Sequence, residues 1–221
     1  MLPPLTPPAL LMGRWYAAVR REARSALRTR GAAAQVQNGP MQTAAVILAA
    51  GGSSRFGSPK QQAPFGAGTV LEAVVSLARA AGLRPIVVVL PSSIPPPPGV
   101  AAVVNDRPEE GLSRSLRLGL AAVPDGAAAL ILLGDQPTVP AAVIADILHA
   151  RGDRPIVAAR AAGLLGPPVL LERSAFAMAA ATTGDQGLRD LIRGKRHLVT
   201  PIEVGEHAPD VDTPADLERF A

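Results

Sequence analysis

From Thr43 onward, short aliphatic runs alternate with stretches in which apolar residues recur every three or four positions. Ala44–Ala50 is a continuous apolar run ending at Gly51-Gly52, the pattern of a parallel strand buried on both faces. Thr69–Ala81 reads as a helix: Leu71, Val74, Val75 and Ala78 share one face, Thr69 and Glu72 have capping-box spacing, and Gly82 follows as a terminator. Pro85–Leu90 is a second buried strand. The four consecutive prolines within Pro91–Gly99 exclude helix and ladder, so this stretch is a surface loop. Ala101–Val104 reads as a short strand, Leu112–Ala122 as a helix with Leu112, Leu116 and Leu120 aligned, Ala129–Leu133 as a third long strand, Pro140–Ala150 as a helix and Pro155–Ala159 as a strand. Pro168–Leu171, Leu188–Ile192 and Leu198–Val204 carry weaker patterns. Thr213-Pro214-Ala215-Asp216 opens a last helix, with Thr capping, Pro in the first turn and Asp facing the positive end of the dipole. Strands and helices alternating with short links predict an α/β fold: a doubly wound, mostly parallel sheet with helices on both faces. Ligands of such sheets bind beyond the carboxyl ends of the strands, which directs attention to the residues just after each run.

Composition changes this picture in two ways. The chain has no cysteine, which excludes disulfides, thiolate metal sites and a cysteine nucleophile and fits a cytoplasmic protein. Its net charge of +4 resides in the leader: residues 1–40 hold six Arg and one Glu, whereas residues 41–221 hold 16 basic and 17 acidic side chains. A folded domain so nearly balanced, without basic residues interleaved with aromatics, is not expected to bind nucleic acid. No apolar run approaches the roughly 20 residues that span a bilayer, so no membrane partner is expected either. Residues 1–40, Pro-rich and then Arg/Ala-rich, read as a poorly structured or artefactual basic N-terminal extension. Met41, directly before the first strand, favours an artefactual start over a basic amphipathic helix or a transit peptide. The domain is expected over 41–221.

Candidate chemistry lies at the strand ends. After the first run comes Leu48-Ala-Ala-Gly-Gly-Ser-Ser-Arg-Phe-Gly-Ser-Pro-Lys60. Gly51, Gly52 and Gly57 let backbone N–H groups approach an anion, and Arg55 and Lys60 add positive charge, as a triphosphate and its departing pyrophosphate require. The loop is neither Gly-x-Gly-x-x-Gly nor a P-loop, which argues against a dinucleotide oxidoreductase and a P-loop ATPase. Alone, it reads sooner as a Gly/Ser turn with solvated cations. After the third long strand, Gly134-Asp135-Gln136-Pro137 offers a carboxylate of the kind that holds Mg²⁺ together with substrate phosphates. An isolated Gly-Asp is more readily a turn. Asp210-Val-Asp212-Thr-Pro supplies a second carboxylate before the last helix, where an Asp also serves as a cap. Gly111-Leu-Ser113-Arg-Ser115 begins a helix with two hydroxyls and free N–H groups, suited to a ribose, base or phosphate, or else to capping. His149, His197 and His207 lack ligand spacing.

Together and in this order, these motifs, with Gly166-Pro-Pro-Val-Leu170 and Gly184-Asp-Gln-Gly187, closely resemble the molybdenum-cofactor cytidylyltransferase group, within the nucleotidyltransferases that modify molybdopterin. The resemblance spans about residues 43–220. It implies a Rossmann-like sheet of the nucleotide-diphospho-sugar transferase type and a Mg²⁺-dependent transfer of CMP from CTP, or of GMP from GTP, to a phosphorylated acceptor such as molybdopterin, with release of pyrophosphate. It further implies that Ala49, Ala50, Gly51, Gly52 and Ser53 line the nucleotide, that Arg55 and Lys60 contact its phosphates, that Ser113 and Ser115 lie near base and ribose, and that Asp135 and Asp212 hold Mg²⁺. Arg55, Lys60 and Asp135 are the catalytic candidates. The Leu-Ala-Ala-Gly form resembles the cytidine-using branch. A molybdoenzyme or its chaperone is an implied partner. Where relatives often carry Gly-His-Pro this chain has Gly166-Pro167-Pro168, which leaves the acceptor open. Ser58-Pro59-Lys60-Gln61 also resembles the cytidylyltransferases of isoprenoid synthesis. Transfer to a sugar or isoprenoid-precursor phosphate, and a non-catalytic maturation factor for molybdoenzymes, are the other readings.

Overall fold

The computed structural model describes residues 42–51, 56, 59–185 and 187–220; the basic extension lies outside them. The first buried run folds as β1 (Thr43–Leu48). A two-residue hairpin, β2 (Pro64–Phe65) and β3 (Gly68–Thr69), precedes helix α1 (Val70–Ala80). The capping box on α1 forms as expected: Thr69 Oγ1 accepts from the Glu72 N–H and the Glu72 carboxylate accepts from the Thr69 N–H. Strands β4 (Ile86–Leu90) and β5 (Ala101–Val104) follow, then helix α2 (Leu112–Ala121), strand β6 (Ala128–Leu133) and helix α3 (Ala141–His149). The C-terminal part comprises β7 (Ile156–Ala161), β8 (Leu164–Leu171), α4 (Phe176–Ala180), α5 (Gly187–Gly194), β9 (Val199–Glu203) and α6 (Pro214–Phe220).

Seven strands form one sheet in the order β5-β4-β1-β6-β8-β7-β9. The continuous apolar runs are explained by burial on both faces. Val46, Val89 and Ile131 face a layer containing Leu116, Leu120 and Ile192, whereas Ile47, Val88 and Leu130 face Leu71, Val74 and Ile144. Close packing on the first face depends on Gly119 of α2, where an added Cβ would stand 2.4 Å from Val46 Cγ1.

The order β5-β4-β1-β6 reverses direction in space between β1 and β6, the place where doubly wound sheets open a ligand crevice. These two strands are parallel neighbours with Leu48 opposite Leu133, so the loops leaving them emerge side by side.

The sheet is mostly parallel, as expected; the exception is β8, which runs antiparallel to both β6 and β7. The link from β7 is only Ala162-Gly163, with φ of 48° and 77°, a two-residue hairpin turn too short for a parallel crossover. The strand also starts earlier than its apolar pattern. Pairing with β7 jumps from Ala158↔Val169 to Ala159↔Gly166, leaving Pro167 and Pro168 in a bulge where no ladder N–H is required.

Candidate active site at the β1–β6 crevice

The site is assembled by a close approach of backbones. Gly134, just after β6, donates its N–H to the Leu48 carbonyl at 2.9 Å. A Cβ at 134 would lie 2.7 Å from Ala49 Cβ and 3.0 Å from Ala49 Cα, so only glycine lets the two strand ends meet. Asp135 is thereby set beside the loop that carries Lys60. From the C-terminal side, the Val211 N–H donates to the Asp135 carbonyl at 2.8 Å, while the Val211 side chain is fully buried with Ala63 and Val70. Asp210 and Asp212 flank that anchor.

The three long-range elements converge on one ammonium. Lys60 Nζ lies 2.7 Å from Asp135 Oδ2 and 2.9 Å from Asp212 Oδ1. Burial alone would lower the Lys60 pKa, but hydrogen bonds and charge from Asp135, then from Asp212, outweigh it. The net direction is upward, so Lys60 stays a cation throughout the neutral range. Asp212 is held by Asp216, whose carboxylate accepts from the backbone N–H groups of Asp212 and Thr213 and from Thr213 Oγ1. These bonds hold the Asp216 pKa below its usual value. Asp210 shifts the other way: burial, then the nearby Asp135 charge, raise its pKa against a hydrogen bond from Gln136.

Of the residues expected to line a nucleotide, Gly52, Ser53 and Arg55 lie outside the described residues. Ala49 and Ala50 are buried. The Ala49 N–H is bound to the Val89 carbonyl, and its own carbonyl accepts from Gln61 Nε2, which also reaches the Gly51 carbonyl. Gln61, 3% exposed, thus clamps the start of the loop, a role that only its place next to Lys60 hinted at. Among the described residues, an added Cβ on Gly51 would meet nothing within 4 Å.

The start of α2 differs from expectation. The N–H groups of Leu112 and Ser113 are not free: they donate to Asp185 Oδ1 and the Gly184 carbonyl. Gly111, with φ of 89°, allows that contact, since a Cβ there would strike the Gly184 carbonyl carbon at 2.6 Å. Ser113 and Ser115 are both buried, and the Ser115 hydroxyl accepts from Asn105 Nδ2. Asn105 in turn accepts from Arg114 Nε, so this segment is a packed polar knot. The motif Gly184-Asp185-Gln186-Gly187 caps this helix through its first two residues.

Asp135 and Asp212 reach the same ammonium, and two carboxylates plus phosphate oxygens are a donor set that suits Mg²⁺. Among the described residues no set of three His, Cys, Asp or Glu converges as a self-sufficient metal cage.

The sequence profile of the MobA-like NTP transferase domain matches residues 45–200, which contain β1 through the start of β9. The chain belongs to the MobA-like NTP transferase family. Among solved structures, this MobA-like chain is similar to Rv0371c from Mycobacterium tuberculosis H37Rv, with 33% identity, 82% of this chain and 98% of that chain covered, and a TM-score of 0.72. A structure of Rv0371c in complex with manganese matches at 32% identity over 82% and 98% of the two chains, with a TM-score of 0.68. The 4-diphosphocytidyl-2C-methyl-D-erythritol synthase from Anaerococcus prevotii matches at 14% identity over 82% and 97%, with a TM-score of 0.67, a likeness of fold alone. No curated protein matches the chain by sequence. The sheet is of the nucleotide-diphospho-sugar transferase type. Among the described residues, no helix is long and apolar enough to cross a membrane.

Proposed function

We propose that this MobA-like domain transfers CMP from CTP to the phosphate of an acceptor of the molybdopterin class and releases pyrophosphate, with Mg²⁺ as cofactor. The observation that carries the reading is the convergence of Lys60, Asp135 and Asp212 at the β1–β6 crevice. The manganese complex of Rv0371c supports a divalent cation in a similar protein. The Leu48-Ala-Ala-Gly51 lead-in favours cytidine over guanosine.

Asp135 and Asp212 would hold the Mg²⁺. When bound, the ion neutralises phosphate charge and polarises the phosphorus under attack. The chain's own residues position the reactants. The loop that begins at Gly51 receives the triphosphate, and Gln61 fixes the first backbone group of that loop. Lys60 supplies a permanent positive charge against charge accumulating on the departing pyrophosphate. A phosphate monoester is already anionic near neutral pH, so its oxygen attacks without a strong general base. Catalysis here is alignment and charge compensation. Cytoplasmic location and a molybdoenzyme or chaperone that receives the product belong to the same proposal.

The test is pyrophosphate release with Mg²⁺ and molybdopterin, comparing CTP with GTP and wild type with Asp135→Asn. The reading expects CTP-dependent release that the substitution largely abolishes. Wild-type release by Asp135→Asn, or no binding of either nucleotide, would refute it.

A further inference from the structure

Next to the Lys60 cluster a cavity of about 420 Å³ opens between β8, α5 and the segment before α6. Its inner wall contains Gln136 and Asp210, the neighbours of Asp135 and Asp212, so the cavity adjoins the reaction centre without containing it. The opposite wall is cationic. Arg189, Ile192, Arg193 and Arg196 line it at i, i+3, i+4 and i+7, one stripe running along α5 and into the turn that follows. In a domain whose basic and acidic residues nearly cancel, residues 187–198 hold four basic side chains against the single Asp190. That acid is a weak partner: it stands 3.9 Å from Arg193 with both side chains exposed.

The inner wall is polar and incompletely satisfied. Gln136 is 7% exposed, and its Nε2 donates to the Ala208 carbonyl at 3.1 Å and to Asp210 Oδ1 at 2.8 Å. Both donors point at good acceptors, which fixes the amide orientation and leaves Oε1 buried with no partner among the described residues. A buried acceptor without a donor costs free energy that a ligand hydroxyl or N–H would recover.

We propose that this cavity seats the part of the acceptor remote from its transferred phosphate, and that Arg189, Arg193 and Arg196 bind a second anionic group there. The acceptor class is thereby narrowed to a molecule with two separated anionic groups. This rests on the reading of the Lys60 cluster as the transfer centre, since that fixes which end of the cavity faces the reaction. The arginines bind and orient the acceptor and take no part in bond making.

The experiment titrates inorganic phosphate into the ¹⁵N-labelled full chain with CTP and Mg²⁺ present, comparing wild type with R189Q/R193Q/R196Q. Phosphate is expected to shift the resonances of Gly163–Gly166 in wild type, and the triple substitution to weaken this binding by about tenfold or more, as loss of charge-assisted bonds requires. CTP affinity and thermal stability should be unchanged. Equal phosphate binding by both proteins, or no wild-type response at Gly163–Gly166, overturns the proposal. Titrating CTP separately keeps the two readings apart. If CTP does not bind but phosphate binding still depends on the arginines, the transfer reading fails and the anion site stands. If CTP binds and phosphate ignores the arginines, the anion site fails alone.

Discussion

Gly134→Ala tests how the fold makes the site. The added methyl would sit 2.7 Å from Ala49 Cβ, 3.0 Å from Ala49 Cα and 3.1 Å from the Leu48 carbonyl oxygen. Ordinary carbon contacts need about 3.5–4.0 Å, so one strand end must retreat by roughly an ångström. None of the three atoms belongs to a flexible side-chain tip; two are backbone and the third is rooted in it. Overpacking of this kind costs about 1–3 kcal/mol, or a fall of roughly 2–12 °C in Tm for a domain of this size. The displacement also stretches the Gly134–Leu48 hydrogen bond and moves Asp135 away from Lys60. Urea unfolding and a melting curve read the stability, and calorimetric titration of CTP with Mg²⁺ reads the site. Gly152→Ala is the control, because among the described residues a Cβ there meets nothing within 4 Å. A Gly134→Ala protein as stable as the Gly152→Ala control and binding CTP like wild type would refute the close approach as the device that sets Asp135.

Three further substitutions probe the charges. Lys60→Met leaves Asp135 and Asp212 facing each other; with Asp212 46% exposed, the loss should be about 1–3 kcal/mol by urea unfolding, below that of a fully buried pair. Because the Lys60 pKa is raised, its contribution is complete below 10.5 and disappears as pH climbs through the folded value. The variant should lack that alkaline loss, and an identical alkaline profile would contradict the pairing. Asp210→Asn should stabilise the protein at neutral pH: the raised folded pKa means that wild type loses stability as pH rises from 3.8 through the folded value, a loss the amide cannot show. Unfolding curves should converge well below pH 3.8 and separate at neutral pH; a variant less stable at neutral pH would reverse the sign assigned here. Asp216→Ala removes the carboxylate that receives three hydrogen bonds around Asp212 and should weaken CTP–Mg²⁺ binding in a protein that still folds, as circular dichroism would show. Unchanged affinity would mean that Asp212 needs no such support.

Much of this architecture was legible because burial on both faces writes itself as unbroken apolar runs. The runs at 44–50, 85–90 and 129–133 fold as β1, β4 and β6, and Thr69 and Glu72 mark the start of α1. β8 was only partly legible. Its Pro167-Pro168 pair speaks against a central strand until a bulge accommodates it, and its antiparallel sense follows from a turn whose φ values the residues Ala162-Gly163 disclose only in part. At the site, Lys60 and Asp135 were identifiable as charges in the loops after β1 and β6 and Asp212 as one before the last helix, but their meeting was not, because 152 positions of chain separate Lys60 from Asp212. The start of α2 left two readings open for a physical reason: free N–H groups and a cap look alike until the capping partner is found, and Asp185 is 73 positions away from Leu112. The side chains that fix geometry, Gln61, Gln136 and Asp216, are polar residues whose importance lies wholly in what they touch.

Lys60, Asp135 and Asp212 are proposed to form one wall of a metal–triphosphate site. A crystal structure of the full chain with CTP and Mn²⁺, using the anomalous signal of manganese, tests it most directly. The account requires a manganese peak bonded to the Asp135 and Asp212 carboxylates and to CTP phosphate oxygens, with Lys60 Nζ beside the triphosphate. Manganese and CTP bound away from both carboxylates, with the Lys60 ion pairs intact, would contradict it.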